Sequence, residues 1–150
     1  MIKSRRCFVT GIKGTKLSQR EVSFLKKYKP WGVILFSRNI ISISQTQKLT
    51  AHIKKLFNDN SYPILIDEEG GKVSRLNKFI DNSIFSAEFF CNLFKNNRKK
   101  FNLYYDVYVK QISFLLNLLG ININTVPVLD LRRNFTNKVI GSRSFSSDPL

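Results

Sequence analysis

Three consecutive acids, Asp67-Glu68-Glu69, directly follow a short apolar run, Ile64-Leu65-Ile66. Gly70-Gly71 comes next, and a glycine pair lets the backbone turn sharply at positive φ. Lys72 and Arg75 then return positive charge to the same neighbourhood. Carboxylates and a guanidinium held close together can bind a polar ligand through directed hydrogen bonds. This stretch is therefore the first candidate for a functional site.

The apolar run before the acids is too short for a helix and is typical of a strand buried on both faces. In α/β folds, ligands bind beyond the carboxyl ends of parallel strands, which is where Asp67 would lie. The same pattern also fits a solvated loop with a simple Gly-Gly turn, so spacing alone leaves both interpretations open.

Alternating strand and helix signals precede this stretch. A first strand is predicted over Arg6–Thr10, and Ser18 with Glu21 forms a capping box for a helix that runs to about Tyr28, before Pro30. A second apolar strand, Gly32–Phe36, ends in Ser37-Arg38-Asn39. Ser42 or Ser44 can cap the next helix, whose apolar stripe consists of Leu49, Ile53, Leu56 and Phe57.

The second half of the chain continues the alternation. Ser86 can cap a short helix, the polar segment Asn96–Lys100 is interpreted as a connector, and a long helix is predicted over Phe101–Leu119. A fourth strand is predicted over Asn124–Leu129, with an irregularity at Pro127. Asp130 stands at its end.

This element order predicts an α/β fold of about four parallel strands with helical crossovers. Glycine-rich nucleotide-binding motifs do not occur in the sequence, so a barrel is favoured over a nucleotide-binding fold. A complete (β/α)8 barrel takes roughly 250 residues, and four strands make half of one. Polar groups that end three strands could converge: Arg38 with Asn39, Asp67 with its neighbours, and Asp130.

The composition raises a second possibility. The chain has 150 residues, 25 Lys and Arg against 10 Asp and Glu, and a formal charge of +15. Such an excess is typical of nucleic-acid-binding proteins. The basic residues are scattered along the sequence, however, so the charge is interpreted mainly as background.

Cys7 and Cys91 are far apart, and the sequence contains no cysteine and histidine cluster with zinc-site spacing. They are predicted to be buried free thiols in a reducing compartment. His52, the single histidine, is interpreted as a surface or packing residue. No metal, cofactor or membrane partner is predicted, and the expected location is the cytoplasm.

Four motifs follow one another along the chain: Gly32–Asn39, Asp67–Arg75, Val126–Asp130 and Val139–Phe145. Together they resemble the N-terminal half of the bacterial beta-N-acetylglucosaminidases of glycoside hydrolase family 3. The resemblance runs essentially from end to end, so residues 1–150 are interpreted as a partial N-terminal (TIM-barrel) domain of that family.

The resemblance implies removal of terminal N-acetylglucosamine from muropeptides during peptidoglycan recycling, by a retaining mechanism without metal or cofactor. It implies that Asp67 accepts hydrogen bonds from sugar hydroxyls and that Arg75 and Arg143 bind substrate. The expected partner is an N-acetylglucosamine-containing saccharide. Two residues depart from the family pattern: Lys72 replaces the usual arginine, and Glu68 stands where glutamine is frequent.

The family's catalytic histidine loop and nucleophilic aspartate lie beyond the matched motifs, so no catalytic residue is assigned in this chain. A truncated half-barrel, inactive alone, is therefore expected. Its open strand edges predict self-association or a second chain that completes the barrel. The alternatives are a non-catalytic sugar-binding remnant, half of a split enzyme, or a basic nucleic-acid-binding module. The last is disfavoured because acids cluster where a ligand would lie.

Overall fold

A computed structural model describes residues 4–133, 135 and 137–148. Pro149, which the sequence suggests as part of a helix start, lies outside the described residues. The chain divides into two compact units: unit 1 comprises Met1–Ile66 with Leu115–Asn124, and unit 2 comprises Asp67–Phe114 with Thr125–Leu150.

Unit 1 contains a four-stranded parallel sheet whose strand order, β1-β2-β3-β4, follows the chain. This confirms the predicted α/β class with parallel strands and helical crossovers, in the order of the first half of a (β/α)8 barrel. β1 and β4 are the edge strands. The strands are β1 (Arg6–Gly11), β2 (Pro30–Leu35), β3 (Ile64–Ile66) and β4 (Ile123–Asn124).

Four α-helices alternate with or follow these strands. Ser18 and Glu21 form the predicted capping box of the first helix, and Ser42 rather than Ser44 caps the second. Ser86 caps the third, as predicted. The helices are α1 (Gln19–Tyr28), α2 (Ile43–Leu56), α3 (Ala87–Asn96) and α4 (Arg98–Leu118), and two short 3₁₀ helices cover Ser37–Asn39 and Gly141–Arg143.

The core of unit 1 forms between β2, β3 and the helices packed on them. All three residues of β3 are buried, as an apolar run without polar alternation predicts. Ile53 of α2 and Leu119 after α4 are also fully buried. Tyr62 adds a buried ring whose hydroxyl donates to the Pro30 carbonyl at 2.9 Å. The acidic stretch therefore begins directly after a buried strand.

Unit 2 has an aromatic core. Phe90 of α3 is 2% exposed, and its ring lies 4.9 Å from that of Tyr105 and 5.0 Å from that of Tyr108, centroid to centroid. Phe85 contacts Phe90 from the loop before α3. Aromatic pairs at such distances contribute about 1 kcal/mol each beyond their buried area. Tyr105 and Tyr108 of α4 thus serve packing.

Three expectations were wrong. The fourth strand ends at Asn124 instead of Leu129, because Pro127 has no N–H with which to extend the ladder. The segment Asn96–Lys100 is not a connector: Asn97 alone separates the helices, and its side chain caps α4 by accepting from the Lys100 amide at 3.0 Å. The thiols of Cys7 and Cys91 are free, but Cys7 is exposed and Cys91 half-buried.

Within the part of the chain that the structure describes, no helix has both the length and the apolar character needed to cross a membrane.

Candidate functional site

The three acids after β3 differ in burial. Glu68 is 1% exposed, whereas Asp67 and Glu69 are only partly buried. Successive side chains of a strand-like segment point to opposite sides. The middle carboxylate, Glu68, is therefore buried, whereas the carboxylates of Asp67 and Glu69 remain accessible.

Gly70 and Gly71 turn the chain immediately after the acids. Their φ values are +78° and +59°, and a Cβ on Gly70 would lie 2.3 Å from the Phe85 carbonyl oxygen. The turn is closed by two backbone bonds: the Glu69 amide donates to Val73 at 3.0 Å, and the Val73 amide donates to Gly70 at 3.2 Å. Only glycine satisfies both the positive φ and the close approach. The chain therefore reverses direction within unit 2 at these two glycines.

Glu68 fixes the returning segment. One carboxylate oxygen accepts the backbone amides of Arg75 at 2.6 Å and Leu76 at 2.9 Å, and the other accepts from the Asn82 side-chain amide at 3.2 Å. Burial, followed by the nearby negative charge of Glu68, raises the pKa of Tyr108. Glu68 is therefore a structural residue. Sequence reasoning did not assign this role, although the middle position in a strand-like acidic triplet was a signal for it.

The segment held by Glu68 places Arg75 beside Asp67. The Arg75 Nη2 atom lies 3.6 Å from Asp67 Oδ2, and these side chains are 26% and 27% exposed. The Thr125 hydroxyl, just after β4, donates to the other Asp67 oxygen. Asp67 is thus held by neighbours yet open to solvent, as a ligand-binding carboxylate must be.

Arg143 reaches the same acids from the 3₁₀ helix near the end of the chain. Its Nε and Nη2 atoms each donate to one oxygen of Glu69 at 2.8 Å, a bidentate pair. The hydrogen bonds to Glu69 raise the pKa of Arg143 against the opposing effect of burial, and the negative charges of Glu69, Asp130 and Asp67 raise it further. Arg143 is therefore a fixed cation among three carboxylates.

Asp130 is positioned by the turn that carries Arg143. The Ser144 hydroxyl contacts the Asp130 carbonyl oxygen at 2.6 Å and the Ser146 carbonyl oxygen at 2.7 Å, and Ser144 itself is buried. The segment after β4 is thereby tied to the segment around Arg143. Unit 2 thus brings together all three residues assigned from the sequence, Asp67, Arg75 and Arg143.

The other polar candidates behave differently. In unit 1, the Asn39 side chain is fully buried, and the exposed Arg38 donates through Nε to the Ile12 carbonyl at 3.1 Å. Lys72 is exposed on the Gly-Gly turn, and His52 is exposed on α2, as the sequence indicated.

The cluster in unit 2, defined here as Asp67, Glu69, Arg75, Asp130 and Arg143, combines acceptors with rigid donors. Such a set can hydrogen-bond several hydroxyl groups of one ligand at once. Among the residues described, no group of three or more histidines, cysteines and acids could hold a metal ion.

A four-stranded parallel sheet whose strand order follows the chain is typical of the first half of a (β/α)8 barrel. The chain belongs to glycosyl hydrolase family 3: the model described as "Glycosyl hydrolase family 3 N terminal domain" matches residues 5–150.

Curated relatives agree with this assignment. The beta-hexosaminidase of Haemophilus ducreyi is 34% identical over 143 residues, which cover 91% of this chain and 38% of that protein. Beta-hexosaminidase A of Pseudoalteromonas piscicida is 31% identical, over 90% of this chain and 23% of its own length. The chain therefore spans well under half the length of these relatives.

Solved structures give the same result. NagZ from Neisseria gonorrhoeae, in complex with N-trifluoroacetyl-D-glucosamine, superposes with a TM-score of 0.83 at 29% identity, covering 97% of this chain and 42% of that chain. A glycoside hydrolase family 3 beta-N-acetylglucosaminidase from Paenibacillus superposes with a TM-score of 0.68 at 26% identity, covering 95% and 26% of the respective chains.

Proposed function

We propose that Asp67, Arg75 and Arg143 bind a terminal, β-linked N-acetylglucosamine residue. The observation that carries the proposal is the convergence of these three side chains with Glu69 and Asp130 in unit 2. Family membership supports the sugar class, since the similar NagZ was crystallised with an N-acylated glucosamine.

Each residue has a distinct role in this proposal. The Asp67 carboxylate accepts hydrogen bonds from two sugar hydroxyls, because its oxygens are partly exposed and its position is fixed by Arg75 and Thr125. Arg75 and Arg143 donate N–H groups to sugar oxygens. Glu69 holds Arg143 in place through the bidentate pair.

We propose that this site takes part in the hydrolytic removal of terminal N-acetylglucosamine from muropeptides, during peptidoglycan recycling in the cytoplasm. The mechanism is retaining, through a covalent glycosyl-enzyme intermediate. We place the nucleophile and the acid/base group outside the 150 residues of this chain, which spans 38% of the Haemophilus ducreyi relative. The chain then supplies one side of the sugar pocket of a partial domain.

A titration followed by NMR tests the binding step. N-acetylglucosamine added to the ¹⁵N-labelled chain should shift amides around Asp67, Arg75 and Arg143, and Asp67→Asn should abolish the shifts. The matched control is Asp106→Asn, which alters an exposed carboxylate of α4 paired with Lys110. Equal shifts in both variants would contradict the assignment of Asp67.

Turnover and assembly test the remaining parts. The purified chain should not hydrolyse a chromogenic N-acetylglucosaminide, and clear turnover would contradict the placement of the catalytic groups outside it. We also propose self-association or a second chain that completes the barrel, because in the sheet that the described residues form, β1 and β4 each have one edge without a neighbouring strand. Sedimentation that shows only a stable monomer, with or without the co-expressed second half, would contradict this.

A further inference from the structure

Basic residues that are scattered in the sequence gather along one face of unit 1. Three hollows, of about 360, 330 and 480 Å³, lie along α1 and α2. The first and second share Lys26 and Leu56, and the second and third share His52, so each hollow adjoins the next, and the three together are called the groove. The basic residues that line this groove are Arg5, Lys16, Lys26, Lys29, Lys48 and Lys55.

Among the described residues, those that line these hollows include no acid. The sequence of unit 1 contains only two acids, Glu21 and Asp59. Glu21 is engaged at the start of α1, where it accepts from Ser18 and the Lys13 amide, and Asp59 binds Arg5 and Ser61. The positive charge of the lysines therefore dominates the groove.

A helix-stabilising role explains the positions of only some of these basic residues. Lys26 and Lys55 lie in the last turns of α1 and α2, where cations complement the helix dipole. Lys48 lies in the middle of α2, and Lys16 precedes α1. These two residues have no such role and continue the basic surface along the groove.

The groove also has apolar walls. Leu49 is buried, and Leu56 and Phe57 are half-buried within the lining. Phe57 presents a ring already stacked on Tyr62, with centroids 4.0 Å apart. Cationic groups along a channel together with apolar and aromatic surface are the combination that single-stranded nucleic acids require.

We propose that this groove binds single-stranded nucleic acid through its phosphates. Its length favours a linear polyanion over a single small anion, since the charges extend over three adjoining hollows. Its concave shape favours a flexible strand over a flat membrane surface. A duplex keeps its bases stacked and paired, whereas a single strand can place bases against the apolar and aromatic wall.

Fluorescence anisotropy with a labelled oligothymidylate tests the proposal. Lys26→Gln, Lys48→Gln and Lys55→Gln combined should weaken binding about ten-fold and reduce the salt dependence of the affinity, because phosphate contacts release counterions. The control variant combines Lys95→Gln, Lys99→Gln and Lys100→Gln, which removes the same charge from exposed positions of unit 2. It should change the affinity by less than about two-fold.

Other arms of the same experiment can overturn the proposal. Equal losses in the two triple variants would show attraction to net charge alone. Tighter binding to a duplex, or binding only to vesicles of phosphatidylcholine and phosphatidylglycerol, would contradict a single-strand groove. Far-ultraviolet circular dichroism confirms that each variant is folded. Asp67→Asn should leave oligothymidylate binding unchanged, which separates this site from the sugar site.

Discussion

The segments that follow β2 and β3 begin alike, with polar residues directly after a buried strand, but they use those residues differently. After β2, Asn39 is fully buried and all of its side-chain bonds go to backbone groups. After β3, Asp67 is partly exposed and bonds to other side chains. A buried polar group that is satisfied by backbone is structural, whereas an exposed charge held by neighbours is available to a ligand.

Replacing Asn39 by alanine should give the largest loss of stability. Its side-chain oxygen accepts the Phe36 amide, and its amide donates to the Ile12 and Gly14 carbonyls at 3.1 and 2.8 Å. Losing these bonds should lower the free energy of unfolding by about 2 to 4 kcal/mol. Urea denaturation measures this, with Asn60→Ala in an exposed turn as the control. A loss below about 1 kcal/mol would contradict a structural role.

Within the acidic triplet, Glu68 tests the same distinction between a buried structural group and an exposed group that can bind a ligand. Glu68→Ala should cost about 2 to 3 kcal/mol, because the amides of Arg75 and Leu76 lose a buried acceptor. It should also abolish sugar binding by releasing Arg75. Glu68→Gln retains an acceptor oxygen and should cost less than half as much. If alanine and glutamine prove equally harmful, the negative charge itself is what matters.

The pair Glu69–Arg143 should show a smaller, measurable coupling. The side chains are 11% and 24% exposed and the contact is bidentate, so a double-mutant cycle with Glu69→Gln and Arg143→Gln should give about 1 kcal/mol after allowance for solvent screening. The cycle for Lys110 and Asp106, an exposed pair on α4, is the control and should give less. Coupling equal to that of the control would show that Arg143 is not held.

Glu21 should give the smallest effect, and one that depends on pH. Partial burial opposes ionisation, but hydrogen bonds from the Lys13 amide and from Ser18 leave the pKa of Glu21 below its usual 4.5. A lowered folded-state pKa adds stability above the unfolded-state pKa and loses it as the pH falls through the folded value. The contribution of Glu21 to stability should therefore be lost as the pH falls below about 4.5, and it should amount to less than about 1 kcal/mol. Glu21→Gln should flatten this dependence, whereas Asp106→Asn should not.

Much of the fold followed from local signals. The capping residues Ser18 and Ser86 and the apolar run of β3 correctly located their elements because each depends on neighbours in sequence. The predicted end of β4 was wrong because Pro127 cannot donate to the strand ladder, which the apolar pattern does not reveal. The predicted start of α4 was wrong because Asn97 caps the helix inside a polar segment that lacks apolar periodicity.

The candidate site was predicted only in part. The sequence with its family resemblance named Asp67, Arg75 and Arg143. It did not show that Glu69 holds Arg143, because these residues lie 74 positions apart in the sequence. It also did not show that Glu68 holds the Arg75 segment, because that contact depends on the Gly70-Gly71 turn. The gathering of lysines along α1 and α2 was also missed, since helix packing is not visible in linear order.

A crystal structure of the chain with N-acetylglucosamine tests the central claim most directly. We expect two sugar hydroxyls within about 3 Å of the Asp67 carboxylate, and Arg75 and Arg143 donating to sugar oxygens. A sugar bound elsewhere, with Asp67 in contact only with Arg75 and Thr125, would contradict the account.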